Sequence, residues 1–300
     1  MMRTSEGKSI YILPQTFIDQ ISLLEKNINV PEKTENKYVK CCNDINNDKK
    51  IEPQWIKEKT DIVKFKATVI DVKEGLEKDI NDIRKSLNMI SKKNFDTQKE
   101  IVLKFVRDFI DEPDSLIKIS VFIFDIASSN LFYGDIYADL YVYFIEESKI
   151  FKDILLQNLS LFKTTIENIK HVDSNIDYDG YCNYVKTNDR RRSIASFYML
   201  LVNKKVIDVV EIVDIIVYLQ AKLFEYINLE DKKIECEEIT ELLYILVTMG
   251  KSNKLITKHN DWIKIINDVS IVSKYKLGSY RSLSSRVIFK SLDIIDFMLK

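Results

Sequence analysis

The feature that most constrains the fold is a long stretch without proline. The chain has four prolines and none follows Pro113, so residues 114–300 form one proline-free run. Apolar residues recur through this run three or four positions apart, which is the spacing of one helix face. Such a run is typical of a helical array, because proline breaks helix interiors. A turn-rich β protein would not have to avoid proline over such a length. The sequence therefore predicts an all-α fold.

Helical periodicity begins near Asp71 and continues to the C-terminus. The first predicted helix has an apolar stripe along one face, formed by Leu76, Ile80, Ile83, Leu87 and Ile90. The next is marked by Ile101, Phe105 and Phe109. Further helices are predicted near 114–128, 135–147, 149–170, 189–203, 206–228, 235–250, 257–275 and 281–299.

These ten helices pair into five antiparallel hairpins, which begin near residues 77, 114, 149, 206 and 257. The separations fit HEAT-type repeats if residues 171–188 form a loop insertion. Residues 206–219 are so rich in β-branched side chains that propensity alone favours a strand. We predict a helix there, because acidic residues recur every three positions and no turn signal appears before Tyr226. The predicted fold is an α-solenoid of about five HEAT-type helix pairs.

The first 70 residues differ from the rest of the chain. Residues 31–53 contain few large apolar side chains, which predicts a linker or a largely unstructured tail. Ahead of them, Thr16 and Asp19 match a capping box for one short amphipathic helix near 16–27. The predicted domains are therefore a tail over 1–70 and a helical solenoid over 71–300.

Three consecutive arginines, Arg190, Arg191 and Arg192, open the predicted helix 189–203 after Asp189, a suitable N-cap. Cations in a first turn oppose the helix dipole by roughly 0.3–1 kcal/mol each, so something outside the helix must favour them. Acids on a neighbouring repeat, a partner protein and phosphate are the alternatives. With the basic break at Lys204 and Lys205, the arginines form a candidate RNA-binding patch, and salt bridges between repeats are the competing interpretation.

No catalytic arrangement is found in the sequence. His171 and His259 lack ligands at metal-binding spacing, and Gly250-Lys251-Ser252 follows a helix rather than the strand that a phosphate-binding loop requires. The net charge is −1, so bulk charge does not favour nucleic acid. Four cysteines without metal spacing indicate reduced thiols, and no apolar run is long enough to span a membrane. We predict a cytoplasmic binding protein that is not an enzyme and uses no metal or cofactor.

Several motifs follow one another in a recognisable order. They are Tyr137-Ala138-Asp139-Leu140, the arginine triplet with Ser193, Thr248-Met249-Gly250-Lys251, Ser284-Ser285-Arg286-Val287-Ile288-Phe289 and Asp293-Ile294-Ile295-Asp296. In this order and spacing the chain resembles the middle domain of eukaryotic translation initiation factor 4 gamma. The resemblance covers roughly residues 83–297. The richness in Ile, Lys, Asn and Asp also fits an A/T-biased viral or protist genome.

The resemblance implies a DEAD-box RNA helicase as partner, held at both ends of the domain. At the first end, the family has Leu-x-x-Leu and then Phe five residues later, which Leu87, Ile90 and Phe95 match with Ile in the second Leu position. At the far end, Arg286 and Phe289 fall on the family motif. Leu87 and Ile90 also extend the stripe of the first helix, so a core role is an equally good interpretation.

The family also has a peptide ahead of this domain that docks on a cap-binding protein. Here a docking role would fall on apolar residues of the tail, namely Tyr11, Leu13, Phe17, Ile21 and Leu24. Thr16-Phe17 stands where the family motif has Leu followed by an apolar residue, so the motif itself is not matched. An ordinary helix that folds back on the body is the alternative.

The function implied is a translation initiation scaffold that recruits mRNA to ribosomes through the helicase and a cap-binding protein. Two other functions remain open. One is an RNA-processing or mRNA-decay adaptor with the same HEAT fold, and the other is a HEAT module that binds RNA directly.

Overall fold

The structure is a computed structural model that describes residues 2–3, 9–10 and 74–300. The chain divides into two units, 1–71 and 72–300. In the first unit, β1 (Met2–Arg3) pairs antiparallel with β2 (Ser9–Ile10), with Met2 opposite Ile10. The predicted tail helix near 16–27 lies outside the described residues.

Residues 74–300 contain eleven helices and no strand. They are α1 (Leu76–Met89), α2 (Phe95–Asp108), α3 (Pro113–Ser129), α4 (Gly134–Glu147), α5 (Lys149–Glu167), α6 (Tyr178–Asn203), α7 (Val209–Tyr226), α8 (Lys233–Gly250), the short α9 (Lys254–Thr257), α10 (Trp262–Ser273) and α11 (Ser285–Leu299). The all-α prediction is confirmed for this part of the chain.

Four of the five predicted helix pairs pack together: α1 with α2, α3 with α4, α7 with α8, and α10 with α11. The fifth predicted pair differs, since α5 packs mainly on α3 and α4, whereas α6 packs on α3, α4, α7 and α8. Most helices also contact the helix two elements further on, such as α1 with α3 and α2 with α4. One continuous hydrophobic core runs through these contacts.

The centre of the core is a group of aromatic rings contributed by α3, α4, α5 and α6. Tyr141 contacts Phe124, Phe144, Phe151 and Phe197 with ring centroids 5.8–6.3 Å apart and steep interplanar angles. Edge-to-face packing of this kind suits the ring quadrupoles. The Tyr141 hydroxyl donates to the Phe151 carbonyl at 3.0 Å, so the one polar atom of the cluster is satisfied.

Helix α6 begins eleven residues before the predicted start. Asp177 is its N-cap, and the carboxylate accepts a hydrogen bond from the Gly180 amide at 2.8 Å. The prediction that Asp189 caps this helix is therefore wrong, and the arginine triplet lies in the middle of α6 rather than in its first turn. The first eleven residues of α6 mix polar side chains and Gly180 with tyrosines, and Val185 is the only aliphatic residue among them, so no clear aliphatic stripe marks the start of the helix.

The structure also bears on the β-branched segment 206–219 and on the apolar residues of α2. The β-branched segment forms helix α7, with Asp208 as its N-cap accepting from the Val210 amide at 3.0 Å. In α2 the buried residues are Val102, Leu103 and Val106. Ile101, one of the three residues that mark this helix in the sequence, is exposed.

Candidate protein-interaction surfaces

The arginine triplet connects α6 to its neighbours. Arg190 donates to the Asp125 carboxylate and to the Ser129 hydroxyl of α3, each at 2.5 Å. Arg192 donates to both carboxylate oxygens of Glu238 on α8, at 2.5 and 2.7 Å, and to Asp189 at 3.2 Å. Two of the three arginines thus form ion pairs between helices.

Arg191 is 5% exposed and donates to the Asn188 side chain at 2.5 Å. Burial lowers the pKa of Arg191, against the opposing effect of nearby Glu238. For Arg192, burial also lowers the pKa, but the hydrogen bond and charge of Glu238 outweigh it and raise the pKa overall. An arginine this deeply buried cannot reach phosphate, so assigning Arg191 to an RNA patch is wrong. For Arg190 and Arg192 the contacts favour salt bridges between repeats, whereas the partner of Arg191 is Asn188 of its own helix.

Lys204 and Lys205 follow the end of α6 at Asn203. Lys204 forms an ion pair with Asp139 of α4, and Lys205 is exposed with a left-handed φ of 60°. The Val206 amide donates back to the Leu201 carbonyl at 2.9 Å, which closes the helix end. The positions of both lysines therefore follow from the way α6 ends, and Lys204 already has a carboxylate partner in Asp139.

Leu87 and Ile90 are buried, at 1% and 4% exposure. The Tyr137 hydroxyl of α4 donates to the Leu87 carbonyl at 3.0 Å and fixes this end of α1 against α4. Placing these two residues in a partner contact is therefore wrong. They continue the apolar stripe of α1 into the core, as the competing interpretation holds.

Phe95 is half-buried at the start of α2 and lies next to Tyr143 of α4, with ring centroids 6.2 Å apart. Lys99 lies 4.4 Å from the Tyr143 ring centroid and 5.7 Å from that of Phe95. The rings border an open pocket of about 590 Å³. We call it the Phe95 pocket; it is also lined by Lys92, Asp96, Asp135, Ile136, Asp139 and Lys204.

Phe289 is 64% exposed on α11. One turn earlier, Arg286 donates to Glu241 of α8 at 3.0 Å and lies 3.7 Å from Glu237. Asp293, one turn later, is also exposed. Because α11 packs on α8 and α10 through Val287, Ser291 and Ile294, its opposite face is open. We call this face, marked by Arg286, Phe289 and Asp293, the α11 face.

Sequence reasoning missed two features of the surface. Leu131 and Phe132, between α3 and α4, are strongly exposed and border a large groove. A smaller cavity of about 310 Å³ lies between α6, α8 and α11, next to His171 and Tyr184. Adjacent large apolar residues in a predicted loop were a signal for the groove, whereas nothing in the sequence brings α6, α8 and α11 together.

Within residues 74–300 no group of three or more His, Cys, Asp and Glu side chains is arranged to hold a metal ion. No helix in the same range is long and apolar enough to cross a membrane. The residues predicted to dock on a cap-binding protein, Tyr11 to Leu24, lie outside the described part of the chain.

No protein-family model, curated protein sequence or solved structure matches this chain.

Proposed function

We propose that the chain is a HEAT-type helical scaffold, not an enzyme, that binds a DEAD-box RNA helicase through the Phe95 pocket and the α11 face. The packing supports the scaffold part of this proposal. Contacts between consecutive helices, combined with contacts two elements apart, are what stacked helix pairs produce. Helices α5 and α6 do not pack on each other as a pair. The chain of contacts along the stack nevertheless continues past them, since α3 contacts α5 and α4 contacts α6.

The observation that carries the proposal is the exposure of Phe289. An exposed phenylalanine leaves a large apolar area in water, and burying it against a partner recovers that free energy. Arg286 is held beside it by the acids of α8, so its guanidinium loses little further freedom when a partner binds. A ring next to an oriented cation has the composition of a protein-binding hot spot.

The Phe95 pocket is the second surface. Its two rings and Lys99 form a cation–π group, and charged groups of both signs surround it. This pocket lies at the first two helix pairs, because α2 packs on α1 and α4. The α11 face is part of the last helix pair. A partner that touches both surfaces has to be extended or made of two lobes.

A DEAD-box helicase has two lobes joined by a flexible linker. Contacts to both lobes hold them at a set separation, which lowers the entropic cost of closing on ATP and RNA. Each surface alone binds weakly, and the two together gain by effective concentration. In this proposal residues 1–70 carry the docking segment for a cap-binding protein, so that the helicase is brought to capped mRNA in the cytoplasm.

The test is a titration of an initiation factor 4A-type helicase with wild type, Phe95→Ala, Phe289→Ala and the double variant. If each ring contributes about 2 kcal/mol, each single variant weakens binding roughly 30-fold and the double variant abolishes measurable binding. Ile263→Ala is the matched control, because Ile263 is an exposed apolar residue of α10 outside both surfaces. Wild-type affinity in a folded double variant would refute the proposal.

A further inference from the structure

A large groove lies between α1, α3 and α6, with a volume of about 740 Å³. We call it the α1–α3 groove. Phe122 and Ile126 of α3 line it, together with Leu131 and Phe132 from the loop that follows. It shares no lining residue with the Phe95 pocket and contains no residue of α11. The groove is therefore separate from both surfaces of the proposed function.

The apolar part of the groove is exposed to an unusual degree. Phe132 is 87% exposed, and Leu131 beside it is also exposed. The Phe132 ring contacts the neighbouring Tyr133 ring edge to face, with centroids 5.0 Å apart, and most of its surface stays uncovered. Contiguous exposed apolar side chains above an apolar floor mark interaction sites on soluble proteins.

The charges of the groove are predominantly positive. The Arg84 guanidinium lies 4.9 Å from the Phe122 ring centroid, and no carboxylate in the described part of the chain pairs with it. Arg190 also lines the groove, where Asp125 is its carboxylate partner. The groove thus contains two guanidinium groups and one carboxylate, and the donors that remain free can bind the acids of a partner.

We propose that the α1–α3 groove binds a short acidic segment of a partner protein, anchored by one large apolar side chain. The anchor lies against Phe122 and Phe132, and flanking carboxylates accept hydrogen bonds from Arg84 and Arg190. The Asn130 side-chain oxygen accepts from the Tyr133 amide at 3.1 Å, which leaves its NH₂ group to donate to a peptide carbonyl.

RNA is the other polymer that combines negative charge with flat apolar groups. Two of the four apolar lining residues, Ile126 and Leu131, are aliphatic and offer a base no face for stacking, so the groove suits an apolar side chain better than a run of stacked bases. The groove also holds the carboxylate of Asp125, so it lacks the continuous positive track that a phosphate backbone favours.

The experiment selects peptides of about 12 residues from a random phage-displayed library on the immobilised full-length chain. Enriched peptides are synthesised with fluorescein, and their affinities are measured by polarisation. We expect sequences with acids on both sides of an aromatic residue or leucine. Phe132→Ala and Arg84→Ala should each weaken binding about tenfold. Ile263→Ala is the control, since it removes an exposed apolar side chain of α10 that does not line the groove and should leave the affinity unchanged.

Three results would overturn the proposal. The first is that the library yields no enriched acidic peptide. The second is that the enriched peptides bind the Phe132→Ala variant as tightly as the wild type. The third is that a fluorescein-labelled 15-nucleotide poly(A) binds the wild type but neither Phe132→Ala nor Arg84→Ala, whereas the peptides bind both variants as they bind the wild type. That last result would assign the groove to RNA. Melting temperatures of the variants establish that each is folded.

Discussion

The Glu238→Gln substitution removes one negative charge from the contact between α6 and α8 and keeps the size of the side chain. In the native protein the Glu238 carboxylate accepts two hydrogen bonds from Arg192, and the side chain is 7% exposed. Arg191 is buried nearby; burial lowers its pKa, and the charge of the same carboxylate partly opposes that shift. The substitution therefore leaves two guanidinium groups with no buried counter-charge.

The cost follows from the burial of the pair. Removing one partner of a fully buried ion pair costs about 3–5 kcal/mol. The Arg192 side chain is 26% exposed, so water compensates part of the loss, and we expect about 2–3 kcal/mol. For a helical unit of this size, that corresponds to a fall in melting temperature of about 5–10 °C.

The assay is urea unfolding followed by circular dichroism, with Glu230→Gln as the matched control. Glu230 pairs with Arg281 at 3.0 Å, but both side chains are largely exposed. We therefore expect its loss to cost less than about 0.5 kcal/mol. If Glu238→Gln is no more destabilising than Glu230→Gln, the triplet does not stabilise the packing of helices, and the argument against a phosphate-binding role for it fails.

Three further predictions concern the helical unit. Asp177→Ala should cost about 1 kcal/mol in urea unfolding because it removes the N-cap of α6, and Asp189→Ala should cost clearly less; equal costs would argue against the observed helix start. Tyr141→Phe should cost about 1 kcal/mol, since a buried hydrogen bond is lost; an unchanged unfolding midpoint would show that this bond adds nothing. Burial raises the pKa of Cys236 to about 12, so at pH 8 roughly one thiol in 10⁴ is ionised. Mass spectrometry after iodoacetamide treatment should find Cys236 labelled only in denatured protein, and rapid labelling of the native chain would contradict its burial.

Helix existence could be predicted from local pattern where an apolar stripe was present. The stripe of α1 is confirmed by the burial of Ile83, Leu87 and Ile90. The β-branched segment of α7 is helical because its apolar residues pack on neighbouring helices, and such packing outweighs intrinsic propensity. Both predictions relied on periodicity, which is a property of the chain itself.

Predictions failed where the outcome depended on contacts between distant residues. The apolar residues of α2 cover a wide arc of the helix, so the sequence did not distinguish the buried Val102 from the exposed Ile101. The role of the arginines depended on Asp125 and Glu238, which lie 65 and 46 residues from their partners. The start of α6 was missed because its first turns mix polar residues and Gly180 with tyrosines and show no clear aliphatic stripe, although Asp177 is as good a cap as Asp189.

The candidate surfaces were predicted in part. Phe289 is exposed and Phe95 borders an open pocket, as surface contacts require, whereas Leu87 and Ile90 are core residues. A motif that lies on an amphipathic helix does not reveal which of its residues face the partner. The α1–α3 groove combines residues from three helices and a loop, so no local pattern contained it.

The central claim is that two separate surfaces hold the two lobes of one helicase. The most direct measurement is calorimetric titration of each isolated lobe against wild type, Phe95→Ala and Phe289→Ala. We predict that one variant loses binding to one lobe only, and that the other variant loses binding to the other lobe only. The claim would be contradicted if both variants lost binding to the same lobe, or if both variants still bound both lobes.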